Sequence, residues 1–192
     1  MNEQIEILDK ALANLRVNYA ENAWHLFLWG FLVLAGLVFN YMLVVYLQRP
    51  ELVNRSWLVL IMAGSAVEIV RGVRSKPTGR SVTHLEKSIG VLWGLLGVSM
   101  LTIAFIAPRV GLISYSALMP LLMLQIWVGA LFTGIMIKFR PLAWLSNVWL
   151  LALAVILFVP GAASGLNQML LMAGCLVVGY LVPGFLLRAE ST

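Results

Sequence analysis

Glu68 is the only acidic residue set well inside an apolar stretch of this chain, and Arg71 follows three positions later. On a helix Gly64, Ser65, Glu68 and Gly72 share one face with Arg71 beside it, so the carboxylate would lie on a small-residue stripe that lets another helix approach. A carboxylate in that position can titrate protons or bind a ligand inside a helical bundle. The plainer reading is a Glu68–Arg71 pair that ends the segment at a membrane surface. Asn40, Gln125, Trp127 and Asn147 are further polar groups within apolar stretches. They either line a polar path or find partners on other helices. Glu21 and His25 have the i, i+4 spacing of a metal-ligand pair, but no third ligand accompanies them, so no metal site is expected. His84 reads as a solvated residue. Cys175, the single cysteine, excludes an internal disulfide and any cysteine-pair motif, and reads as a small core residue. There is no Ser–His pairing, no His or Cys cluster and no glycine-rich phosphate cradle. No catalytic residue, no cofactor and no enzyme is therefore expected.

The elements that must position these groups follow from composition. Hydrophobic residues make up 61% of 192 positions and charged residues 11%, where a soluble domain carries about 25% charged residues. Mean hydropathy is +0.95. This is an all-α membrane protein by composition, and the expected partner of most of its surface is the lipid bilayer. The net charge of +5 does not imply nucleic acid, because the bases sit at the ends of apolar segments, where orientation signals lie. Six spans are expected, over about 24–47, 54–72, 88–107, 112–137, 142–159 and 166–187, within a transmembrane domain of 23–188. Each approaches the roughly 20 residues needed to cross a bilayer. The second is either short or has charged ends that reach inward, since Arg55 and Arg71 bracket about 24 Å of helix against a hydrocarbon core of about 30 Å.

Orientation rests on the longest polar interruption, Arg71 to Lys87, which holds Arg71, Arg74, Lys76, Arg80 and Lys87. Such clusters stay in the cytoplasm. With that loop inside, Lys10, Arg16, Lys138, Arg140 and Arg188 also fall inside, making ten bases against Arg49, Arg55 and Arg109 outside. The expected topology is N-in and C-in in a bacterial cytoplasmic (inner) membrane, with 189–192 as a short cytoplasmic tail. Short connections predict three antiparallel hairpins. The acidic start, with Glu3, Glu6 and Asp9 ahead of any apolar run, does not read as a cleavable signal.

Residues 1–22 read as a cytoplasmic amphipathic helix, with Ile5, Leu8, Leu12, Leu15 and Tyr19 at alternating steps of three and four. Its mixed, partly acidic polar face suits a protein neighbour better than anionic lipid. Gly64, Gly90, Gly94, Gly97 and Gly134 mark expected close helix contacts, within one chain or between copies, and Gly90 and Gly94 have the Gly-x-x-x-Gly spacing. Pro120 is a candidate kink and, with Pro183, a candidate hinge.

A shift of 64 residues superposes Leu28, Trp29 and Gly30 on Leu92, Trp93 and Gly94, and Arg74, Lys76 and Pro77 on Lys138, Arg140 and Pro141. Spans one and two therefore read as a parallel repeat of spans three and four. The two Leu-Trp-Gly openings, the GIMIKFRP stretch at Gly134 to Pro141 and YLVPGFLL at Tyr180 to Leu187 together resemble a group of uncharacterised six-span integral membrane proteins common in Bacteroidetes. The resemblance implies a fold and a membrane location without a biochemical activity. The functional expectation is a non-enzymatic accessory or sensory subunit that docks a cytoplasmic or membrane partner, through the N-terminal helix or as a homo-oligomer through the Gly-rich spans. The alternative is a small-solute or ion channel or transporter with Glu68, Arg71, Gln125, Trp127 and Asn147 as its polar binding positions.

Overall fold

In the computed structural model, residues 24–74 and 84–189 are described. They form helices joined by turns, with no strand among the described residues. Six helices are long and apolar enough to cross a membrane: Trp24–Tyr46, Pro50–Arg71, Lys87–Ile106, Tyr115–Met136, Arg140–Phe158 and Gly165–Ala189, spans one to six below. A helix satisfies its own backbone N–H and C=O groups, which is what a chain immersed in hydrocarbon requires. The expected helix over 1–22 and most of the basic loop lie outside the described residues.

The described connections are short and sharply turned. Residues with left-handed backbone occur at Gln48 (φ 51°), Gly111 (φ 73°), Lys138 (φ 51°) and Gly161 (φ 82°), one in each described connection between spans. A left-handed residue lets the last carbonyls of a helix find donors as the chain reverses. Glycine takes that conformation without strain at two of the four turns.

The helices depart from regular α geometry at few places. Wider π-type turns occupy Met42–Tyr46 and Thr102–Ile106 at the ends of spans one and three, and Val177–Leu181 in the middle of span six. Span five is two helices, Arg140–Leu145 and Val148–Phe158, with buried Ser146 at the break returning its hydroxyl to Ala143 O at 2.9 Å. Span four continues as a helix through Pro120.

Spans one, four, five and six form the centre, and spans two and three flank it. Span one packs on spans two and six, while span four packs on spans three, five and six. Half of the most apolar window of span six is buried, against 6% in each of spans two and three. Two apolar clusters result. One, around Phe27, Ile89, Ile137, Phe139, Leu142 and Leu187, lies at the end where Arg71, Arg74, Lys87, Lys138, Arg140 and Arg188 are found. The other, around Leu37, Met123, Trp149, Ile156 and Met172, fills the opposite half.

Contacts between neighbouring spans repeat one theme, a tryptophan ring seated on a glycine. A Cβ at Gly64 would lie 3.2 Å from the Trp29 ring, one at Gly36 2.8 Å from Trp57, one at Gly129 2.9 Å from Trp93, and one at Gly179 2.8 Å from Trp149 Nε1. Lipid tails are as apolar as leucine, so helices associate in a membrane by such close fits rather than by hydrophobic expulsion. The expected contact glycines divide accordingly. Gly64 and Gly134 are packed, and a Cβ on Gly134 would meet the Ala143 backbone N at 2.6 Å. Gly90, Gly94 and Gly97 would meet nothing within 4 Å among the described residues, so the Gly-x-x-x-Gly face of span three makes no close contact with the other described spans. The spacing marks a face able to pack closely; span three turns Trp93 toward span four and leaves that face outward.

This division predicts opposite outcomes for two alanine substitutions. Gly134→Ala forces spans four and five apart and should cost about 1–3 kcal/mol. Gly94→Ala should be neutral or stabilise by up to about 1 kcal/mol through helix propensity. Unfolding of the two variants side by side in one detergent measures the difference.

Candidate functional site

The polar residues of the spans gather most densely where span one begins and span two ends. His25 and Trp29 are four residues apart on one helix and Gly64 and Glu68 four apart on the other, so each pair lies on a single face. The two faces meet. His25 Nδ1 lies 2.5 Å from Glu68 Oε1, with the imidazole N–H donating to the carboxylate. The Trp29 ring covers Gly64, one turn away on the same face. Glu68 does not use Arg71 as its partner, contrary to the sequence expectation. The Arg71 guanidinium lies 4.8 Å from the centre of the Trp24 ring, an attraction of about 0.5–1 kcal/mol at an exposed position. Three successive helical turns thus carry Arg71 over Trp24, His25 against Glu68, and Trp29 over Gly64.

The site is open. The His25 side chain is 55% exposed and that of Glu68 28%, so the ion pair contributes at the modest level of a surface bridge, about 0.2–1 kcal/mol. Its chemistry is that of a hydrogen-bonded clamp between two helices at a membrane boundary. Among the described residues no three His, Cys, Asp or Glu side chains converge to hold a metal, and Glu21, the suggested companion of His25, lies outside those residues. Ile5, Leu8, Leu12, Leu15 and Tyr19, expected to dock a partner, lie outside them too.

The other polar positions do not join this cluster. Gln125 Nε2 donates to Ser99 Oγ at 3.0 Å, tying span four to span three, while its buried Oε1 has no partner. Trp127 Nε1 donates to Asn147 Oδ1 at 3.3 Å, and Asn147 returns its amide to Ala143 O and Trp144 O at the break in span five. Asn40, buried in span one, accepts from Ser56 Oγ of span two at 2.9 Å. The candidate binding residues therefore fall into three separate places, with Glu68 and Arg71 in one, Gln125 in the second, and Trp127 with Asn147 in the third.

Spans one and two and spans three and four share one kind of contact, though the glycine side slips by one residue from the 64-residue shift, which would place Gly64 and Glu68 on Val128 and Phe132. Trp29 covers Gly64, and Glu68 lies four residues on. Trp93 covers Gly129 and donates to Thr133 Oγ1, again four residues on, at 3.0 Å. Trp149 meets Gly179, but the residue four further is Pro183, and its buried Nε1 is left without a partner. Counted from the covered glycine rather than by the 64-residue shift, Glu68 stands where Thr133 does in the second pair of spans. Sequence reasoning missed Trp24, His25 and Trp29 as members of the site. The available signal was the i, i+4 spacing of His25 and Trp29, matching that of Gly64 and Glu68.

No family model, curated protein or solved structure matches this chain. Its functional reading rests on the arrangement of its own residues.

Two measurements check these contacts. In a double-mutant cycle, His25→Ala and Glu68→Gln should couple by about 0.2–1 kcal/mol, and additive effects would mean that the pair does not form. Thr133→Val should destabilise by about 1–3 kcal/mol, because it strands the Trp93 indole N–H. Adding Trp93→Phe should recover part of that loss in the same unfolding assay.

Proposed function

We propose that this chain is a non-enzymatic accessory or sensory subunit of a bacterial cytoplasmic membrane. It is threaded six times with both ends inside, as three antiparallel hairpins, and it docks a partner on its cytoplasmic face. The pairing of spans one and two is supported by contacts whose numbering rises in one helix as it falls in the other: 25 with 68, 29 with 64, and 36 with 57. The orientation is supported by six described bases at one end against Arg49, Arg55 and Arg109 at the other.

The observation that carries the docking reading is how the polar side chains are used. Glu68, Gln125 and the Trp127–Asn147 pair each engage a neighbouring helix at a separate place, which favours a fixed scaffold over a solute path. A transporter built around Glu68, the alternative reading, would need these groups to share one route. The His25–Glu68 and Trp24–Arg71 contacts instead hold together the ends of spans one and two that adjoin residues 1–23 and the basic loop in sequence. Those two segments, the first with its heptad seam and the second with its bases, are the surfaces offered to a partner.

Deleting residues 1–20 should abolish co-purification of a specific partner from gently solubilised membranes while leaving the unfolding midpoint of the bundle unchanged. An unchanged set of co-purifying proteins contradicts the docking reading. In liposomes Glu68→Gln should leave solute and proton flux at background, as in the parent protein; flux in the parent that this substitution removes would favour the transporter.

A further inference from the structure

Spans five and six touch at one level and separate above it. At Gly179 they are in close contact, since a Cβ there would meet Val148 Cγ1 at 2.8 Å and Leu145 O at 3.2 Å. Five residues earlier on span six, Gly174 would meet nothing within 4 Å. The wider turn Val177–Leu181 begins three residues after Gly174 and contains the Gly179 contact, and such a turn redirects a helix axis. The result is a wedge-shaped groove of about 680 Å³, running from Val148 and Val178 to Pro160 and Asn167, with Gly174 and Cys175 on its wall.

Three features identify what fills it. The groove is lined almost entirely by apolar side chains, among them the exposed Leu151 and Leu170, so it is continuous with the surface these spans turn toward lipid. Its length is that of one leaflet: Val148 to Val159 spans about 16 Å of helix rise, against half of a hydrocarbon core of about 30 Å. Val148 itself follows Arg140, the start of span five, by about 12 Å of rise, so the groove begins near mid-membrane and ends at the turn. A partner helix would need a seam through the full thickness, and the seam closes at Gly179. No Asp, Glu, Lys or Arg occurs between Val148 and Val178, so a headgroup with net charge would find no counter-charge. The rim carries exposed Asn167, whose Nδ2 is held by Gly161 O at 2.9 Å, and Ser164, whose hydroxyl accepts from Asn167 N.

We propose that this groove is a binding site for one acyl chain of a net-neutral glycerophospholipid, drawn from the leaflet at the Pro160 end, with the lipid's glycerol region at Asn167 and Ser164. The inference rests on membrane residence and is independent of the docking reading. The full chain, reconstituted in phosphatidylcholine vesicles doped with phosphatidylethanolamine carrying a photoactivatable diazirine in one tail, tests it. Adducts mapped by mass spectrometry should concentrate on the peptides covering Val148–Val159 and Asn167–Val178. Gly174→Leu, which fills the groove without meeting a neighbour at its Cβ, should remove most of those adducts, and Gly174→Val should remove fewer. Adducts on spans two and three should be unchanged in both variants. Labelling spread over all spans in proportion to exposure would overturn the proposal, as would labelling unaffected by either substitution. A photoreactive residue at Leu170 that captures a second protein chain in place of lipid would also overturn it.

Discussion

Close approach of helix backbones at glycine, with a tryptophan ring filling the space, is the interaction on which this bundle depends. In water the burial of apolar area would hold six helices together with little regard to detail. In hydrocarbon that force is absent between the spans, and what remains is contact density and the hydrogen bonds that a close contact permits. Trp29 on Gly64 and Trp57 on Gly36 join spans one and two from both directions, and Trp93 on Gly129 joins spans three and four. Each ring covers backbone on the facing helix, and the Trp93 indole also bonds Thr133, one helical turn beyond Gly129. The third pair of spans keeps the ring and the glycine but has Pro183 where the acceptor would be. That is also the pair whose helices diverge.

The polar chemistry of the molecule follows from the same constraint. A polar side chain among apolar helices must be bonded to something, and here most are bonded across to a neighbouring span: Asn40 to Ser56, Gln125 to Ser99, and Trp127 to Asn147. Gln168 of span six likewise donates to the backbone of Ser116 in span four. Such groups set the register of the helices and are consumed in doing so. Glu68 differs, because Thr133, its counterpart counted from the covered glycine, is buried whereas Glu68 and His25 stand open at the boundary.

The spans themselves were legible in the sequence, because an apolar run of about 20 residues matches the length of helix that a bilayer core requires. The Leu-Trp-Gly echo at Leu28 and Leu92 was legible too, and it points to the residues that make the inter-helix contacts. What could not be read was register. The partnership of His25 with Glu68 depends on which turn of span one faces which turn of span two, and a helix pattern by itself leaves that open. Proximity in sequence suggested Arg71 for Glu68, yet Arg71 found the Trp24 ring. The glycines show the same limit: Gly94 and Gly64 look alike in sequence, and only the rotation of each helix decides that one is covered and the other bare. The break at Ser146 and Asn147 carried no Pro or Gly to announce it.

The most direct test of this account is a double-mutant cycle at Gly36 and Trp57, read by reversible unfolding in one detergent. Gly36→Ala places a methyl 2.8 Å from the Trp57 ring and should destabilise the bundle. If the ring seated on glycine holds these helices together, Trp57→Leu should relieve that clash, and the two substitutions should depart from additivity by more than about 0.5 kcal/mol. Effects that add within that margin would mean the ring and the glycine do not meet, and the register proposed for spans one and two would be wrong.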